Sequence, residues 1–173
     1  MSIYRKISDF GIGATQRMKI FWVANGEIDA AIIHIYHFND QPESIEKILG
    51  DHGIVCEYLP QSVEKNEVAR ICIAKTEKRL RQFKTAFNDE RTHIVLKMSG
   101  WPISSIEAFT DPAKQLEKEY YPLFMIHHPL QFTLSKDHAG DEVEIFRSRM
   151  KMVKKFCPKI YAEMPQHMLP FVK

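Results

Sequence analysis

The chain has 173 residues, 45% hydrophobic and 27% charged, a balance that suits one soluble domain with a sizeable core. A net charge of +2 is too small by itself to announce a polyanion partner. The longest uncharged apolar run, 30–38, falls far short of the roughly 18 residues of a membrane helix, and the charged start MSIYRKISDF does not read as a signal peptide.

The expected location is therefore the cytoplasm, with no membrane partner. Three cysteines without a CxxC pair argue against a disulfide framework or a zinc ribbon, so free thiols are expected, at least two of them in the core.

Residues 1–17 read as a short lead-in. Gly11 and Gly13 form a Gly-x-Gly, but a phosphate cradle needs Gly-Lys-Ser/Thr or a third glycine opening a helix, and neither is present. Met18 to Ala24 and Glu27 to Phe38 flank Asn25-Gly26. β-branched and aromatic residues around Asn-Gly are a hairpin signal, because both central turn positions need positive φ. Ile28, Ala31, Ile32 and Ile35 also fall at helical spacing. Three isoleucines and two aromatics in eight residues favour the strand.

A helix follows, with Asp40 as cap, Pro42 and Glu43 in its first turn, and Ile45, Ile48 and Leu49 as its apolar stripe. Gly50 or Gly53 ends it. Ile54 to Leu59 reads as a strand stopped by Pro60, and 61–67 as a polar loop. Val68 to Ala74 is a further strand. Thr76 caps a second helix, Glu77 to about Asn88, with Leu80, Phe83 and Phe87 inward. His93 to Met98 reads as another strand, and Ser99-Gly100-Trp101-Pro102 breaks the pattern.

From Glu27 to Met98 the order is strand, helix, strand, strand, helix, strand. That order resembles the split βαβ, or ferredoxin-like, arrangement. The expected class is α+β, with an antiparallel or mixed sheet, both helices on one face and the Met18 to Ala24 strand added through the hairpin. The strand near residue 95 is expected beside the strand near residue 33. The arrangement hosts many unrelated activities and transfers none.

The remainder, 99–173, reads as a mainly helical extension of one 1–173 domain whose sheet core is 1–98. Ile103 to Phe109 is a short helix, and Asp111-Pro112 starts another running to about Tyr121, with Leu116 and Tyr120 inward. Asp141 to Cys157 is the best helix in the chain. Its apolar stripe is Val143, Phe146, Met150, Val153 and Cys157, with acids in the first turn and lysines in the last. Pro158 stops it, and the apolar tail is broken by Pro165 and Pro170.

Two basic segments carry the functional reading. Lys78, Arg79, Arg81 and Lys84 crowd the second helix, together with Lys75. Arg147, Arg149, Lys151, Lys154 and Lys155 fill a stretch without acids. Cations that reach phosphates release counterions, the sequence-independent part of nucleic-acid affinity. Trp22, Tyr36 and Trp101 are candidates for base stacking. The plainer account of both segments is a solvated helix face.

His34 and His37 share a face only on a helix, so the strand reading separates them. His127, His128 and His138 with Asp137 match no acid–base or metal spacing. No GxSxG, HExxH or SxxK is present. Cys56 and Cys72 lie in apolar runs and read as inert. Glu57 and Arg70 read as a cross-strand charge pair.

The leading expectation is thus a non-specific nucleic-acid binder, for DNA or RNA, with no cofactor, no metal and no assigned catalytic residue. The alternative is an oligomeric interaction or regulatory module assembled through the C-terminal helix and tail. An enzyme using His34, His37 or His127 is a third reading.

Overall fold

The computed structural model describes residues 12–36, 42–59, 68–126 and 132–170, with the single positions 3 and 128. Gly11, His37, Phe38, Asp40, the 60–67 segment, His127 and Pro129 lie outside the described residues. The chain divides between Gly100 and Trp101 into two compact units.

In the first unit, α1 (Ala14–Asn25) leads into β1 (Ala30–Tyr36), α2 (Pro42–Gly50), β2 (Val55–Tyr58), β3 (Val68–Ala74), α3 (Glu77–Asn88) and α4 (Thr92–Met98). The strands form one antiparallel sheet in the order β1-β3-β2. The register sets Ala30 opposite Ala74, Ile33 opposite Ile71 and Tyr36 opposite Val68, while Val55 also lies opposite Ala74 across β3's other edge. The α+β class and the antiparallel sheet stand.

Two segments expected to be strands are helices. Met18 to Ala24 belongs to α1. Its buried residues Met18, Ile20, Phe21, Trp22 and Val23 run round the helix and leave no stripe. A helix covered on nearly all sides has no amphipathic period to detect.

Asn25-Gly26 is therefore a helix end rather than a hairpin turn. Gly26 sits at φ 75°. Its N–H donates to Val23 O (3.1 Å) and the Glu27 N–H to Trp22 O (2.9 Å). This is the Schellman pairing, which wants a left-handed glycine just past the helix. The same conformational demand underlies the Asn-Gly hairpin signal, so the dipeptide could not separate the two.

The second correction is His93 to Met98, which lies in α4. Ile94, Val95 and Met98 meet Leu80 and Phe83 of α3 over Ala30, Cys72 and Ala74 of the sheet. A short apolar run fits a strand or a buried helix equally well by pattern alone. The neighbour of β1 is consequently β3, and neither the extra hairpin strand nor the final strand of a ferredoxin-like order is present among the described residues.

Both faces of β3 are covered. Cys72 and Ala74 face the α3–α4 cluster, while Ile71 and Ile73 are fully buried on the other side, and α1 packs against β1 and β3. The outer edge of β1 is covered in part. Lys19 Nζ donates to Ile32 O (2.9 Å), and the His34 N–H donates to Gln16 Oε1 (3.2 Å). Side chains of α1 thus satisfy backbone groups that an open edge strand would offer to another chain.

In the second unit, α5 (Ile103–Thr110) precedes two 3₁₀ turns, Pro112–Lys114 and Lys118–Tyr120, then α6 (Ala139–Phe156), α7 (Pro158–Ala162) and a last 3₁₀ turn, Gln166–Met168. The expected helix from Pro112 to Tyr121 does not form. The Leu116 N–H donates to Leu134 O (2.8 Å) and the Lys136 N–H to Lys114 O (2.9 Å), so this backbone pairs with a distant strand-like segment. Tyr120 is exposed, and Tyr121 is buried with its hydroxyl accepting from the Leu134 N–H (2.7 Å).

The stripe of α6 is buried within the chain. Phe146 packs against Phe124, His128 and Phe132 of the same unit. The surface expected to pair subunits is therefore occupied by the protein's own side chains. α6 ends at Phe156, just before Pro158 as expected, and Pro158 opens the separate short α7, where a missing N–H costs nothing. Ile160, Tyr161 and Met164 of the tail are buried as well.

Candidate nucleic-acid interface

The α3–α4 hairpin builds a concave basic surface. Thr76 Oγ1 accepts from the Arg79 N–H (3.3 Å) and starts α3. At the other end a second Schellman pairing closes it: the Glu90 N–H donates to Phe87 O (3.2 Å) and the Arg91 N–H to Ala86 O (2.8 Å). Here the left-handed position, φ 56°, is held by Glu90 rather than by glycine. This tight reversal lays α4 beside α3, and the Asp29 N–H ties the end of α4 to β1 through Met98 O (2.9 Å).

Between the helices lies a cleft of about 550 Å³. Arg79 and Arg81 line it from α3, Arg91 from the turn just before α4 and Lys97 from α4. Gln82, Thr85 and Asp29 add polar groups, and Ala86, Ile94 and Met98 form an apolar floor. Among the described residues four cations thus face one lining carboxylate.

Ion pairs orient some of these groups. Arg79 Nε meets Asp29 Oδ1 (3.3 Å) and its Nη1 donates to Gln82 Oε1 (3.3 Å). Arg91 Nη2 meets Asp89 Oδ2 (2.9 Å). Such exposed pairs contribute about 0–1 kcal/mol, so their effect is positional. Arg81 and Lys97 make no ion pair among the described residues.

The residues expected from the sequence divide. Arg79 and Arg81 share the cleft. Lys78 is exposed on α3 but does not line it. Lys84 is engaged by Glu57. On α6, Arg147 Nη1 binds Glu144 (2.6 Å) and its guanidinium covers the Phe124 ring at 5.3 Å. Lys154 lies over Tyr161 at 5.5 Å and Lys155 over Phe156 at 5.0 Å. Arg149 is half-buried and Lys151 exposed.

Arg91, Lys97, Gln82 and Thr85 were missed. A helical reading of 92–98 places Arg91, Ile94, Lys97 and Met98 on one face at i, i+3, i+6 and i+7. That is the signal that would have found them.

In comparisons with known protein families, curated proteins and solved structures, the chain matches none of them.

The other constellations are not brought together. Trp22 is core, and Trp101 is packed edge-on to Phe109 (5.6 Å). His34 lies opposite Arg70, and burial, then Lys19 and Arg70, lowers its basicity. Burial pushes His128 down to about 4. Cys56 and Cys72 do not face each other, because Cys56 is opposite Ile73 and Cys72 opposite Glu57.

Burial raises all three thiols, Cys56 and Cys157 to about 11 and Cys72 to about 12, so each is a weak nucleophile at neutral pH. Glu57 binds Lys84 rather than Arg70. The described residues hold no group of three His, Cys, Asp or Glu able to share a metal, and no helix long and apolar enough to cross a membrane.

Proposed function

We propose that the protein binds nucleic acid, DNA or RNA, through sequence-independent phosphate contacts in the α3–α4 cleft. The observation that carries this reading is the convergence of Arg79, Arg81, Arg91 and Lys97 on one concavity with a single lining acid among the described residues. Guanidinium groups suit phosphate because their forked donors match two oxygens at once. Release of condensed counterions supplies the driving force. The cations of α6 make a secondary contribution, since Arg147, Lys154 and Lys155 are already engaged by neighbouring side chains. The three unpaired cysteines suit a reducing compartment, in keeping with a cytoplasmic binder.

Fluorescence anisotropy with a labelled oligonucleotide tests the assignment. Arg81→Gln with Lys97→Gln weakens binding about tenfold or more, as expected for two lost charge-assisted contacts. Arg149→Gln with Lys151→Gln and Lys155→Gln produces a smaller loss. The reverse ranking removes the cleft from the account.

A second reading is an interaction module that associates with another copy of itself. It is supported by Ile103, Tyr120, Leu123 and Phe156, each more than half exposed at 65%, 66%, 81% and 59%. Sedimentation equilibrium decides it: a monomer mass at high concentration rules the module out.

A further inference from the structure

The cleft combines two features that a duplex backbone does not use together. Its rim is cationic, and its floor is apolar. Met98 and Ala86 are buried and Ile94 half-buried, all three lining the cleft. In a duplex, bases are stacked and paired inside, and only their edges reach the grooves. A duplex therefore leaves such a floor empty. An unpaired nucleotide can lay its ring on the floor while its phosphates stay at the rim.

We propose that the α3–α4 cleft is a single-nucleotide pocket for single-stranded nucleic acid, seating one unstacked base on Ile94 and Met98. This rests on the nucleic-acid reading above and narrows it. The volume of about 550 Å³ lies within the range of small-ligand sites. Arg91 and Lys97 are six residues apart, about 9 Å along α4, which leaves room for a ring between them. Met98 brings a thioether, which packs well against aromatic rings. The Gln82 amide and Thr85 hydroxyl line the same space and offer hydrogen bonds to base edges or sugar. Among the described residues no aromatic side chain lines the cleft, so apolar burial replaces the stacking of other single-strand sites.

The test is displacement of a labelled single-stranded oligonucleotide from the full chain by adenosine monophosphate, ribose phosphate or inorganic phosphate at matched ionic strength. Adenosine monophosphate is expected to displace at about tenfold lower concentration than ribose phosphate, the gain from burying one base face. The oligonucleotide itself is expected to bind about tenfold more tightly than its duplex. Ile94→Ala shrinks the gap between the two competitors. Thr85→Leu, at an exposed position that leaves the core intact, shrinks it too by filling the cleft. Equal displacement by all three competitors, or a gap that both variants leave unchanged, overturns the pocket while leaving phosphate binding in place. Failure of the oligonucleotide to bind at all overturns both.

Discussion

Gly26→Ala isolates one term in the stability of α1. Gly26 occupies the left-handed position after the helix, at φ 75°. A Cβ added there meets no atom within 4 Å, so the substitution carries no clash. What remains is the backbone cost of an L-residue in that region, about 1–2 kcal/mol. Alanine recovers about 0.5 kcal/mol of this by restricting the unfolded chain. The expected net loss is about 1 kcal/mol, read from urea titrations with an unchanged m-value.

Asn25→Ala is the companion. Asn25 lies in helical conformation, and its Nδ2 donates to Phe21 O (2.8 Å). Losing that bond costs about 1 kcal/mol, and alanine's helix propensity returns about 0.6 kcal/mol. The change is therefore small. In a hairpin turn both positions need positive φ, and both substitutions cost alike. Equal losses of 1 kcal/mol or more at Asn25 and Gly26 would refute the helix end.

Further outcomes follow the same logic. Glu90→Gly at the second left-handed cap stabilises by about 0.5–1 kcal/mol, while Glu90→Ala is nearly neutral; urea midpoints separate the two. Glu142 is buried, its Oε1 accepting from Ser104 Oγ (2.5 Å) and its Oε2 from the Ser135 N–H (2.8 Å). Glu142→Ala strands both donors and costs about 3 kcal/mol, of which Glu142→Gln recovers part. His128 is held neutral down to about 4 by burial, against 6.5 when exposed. The unfolded chain then binds the extra proton first, so this stability is complete above 6.5 and declines as pH falls towards 4. The decline is at most about 3 kcal/mol. His128→Leu flattens that slope in urea titrations repeated across pH.

The start of α3 was legible in the sequence. Thr76 marked α3, and the bounds of α3 and β3 follow from cap, stripe and alternation. The misread segments share a cause. Both are short apolar runs that lack the periodicity separating helix from strand: Met18 to Ala24 is buried round most of its helix, whereas in His93 to Met98 only Met98 is fully buried. The choice at 92–98 also decided the site. Read as a strand, Lys97 and Arg91 drop out of any basic face. Read as a helix, they join Arg79 and Arg81. The α6 cations were visible as a run, but which neighbours they engage depends on Phe124, Tyr161 and Phe156, contacts that no linear pattern encodes.

The salt dependence of oligonucleotide binding tests phosphate recognition by the cleft most directly. For the intact chain, log Kd should rise linearly with log salt between about 50 and 200 mM, with a slope near 0.7 per phosphate contacted on a single strand. Replacing Arg81, Arg91 and Lys97 by Gln together should lower that slope by about 2, one contact's worth per cation removed. An unchanged slope in this variant, or no salt dependence in the intact chain, contradicts the account.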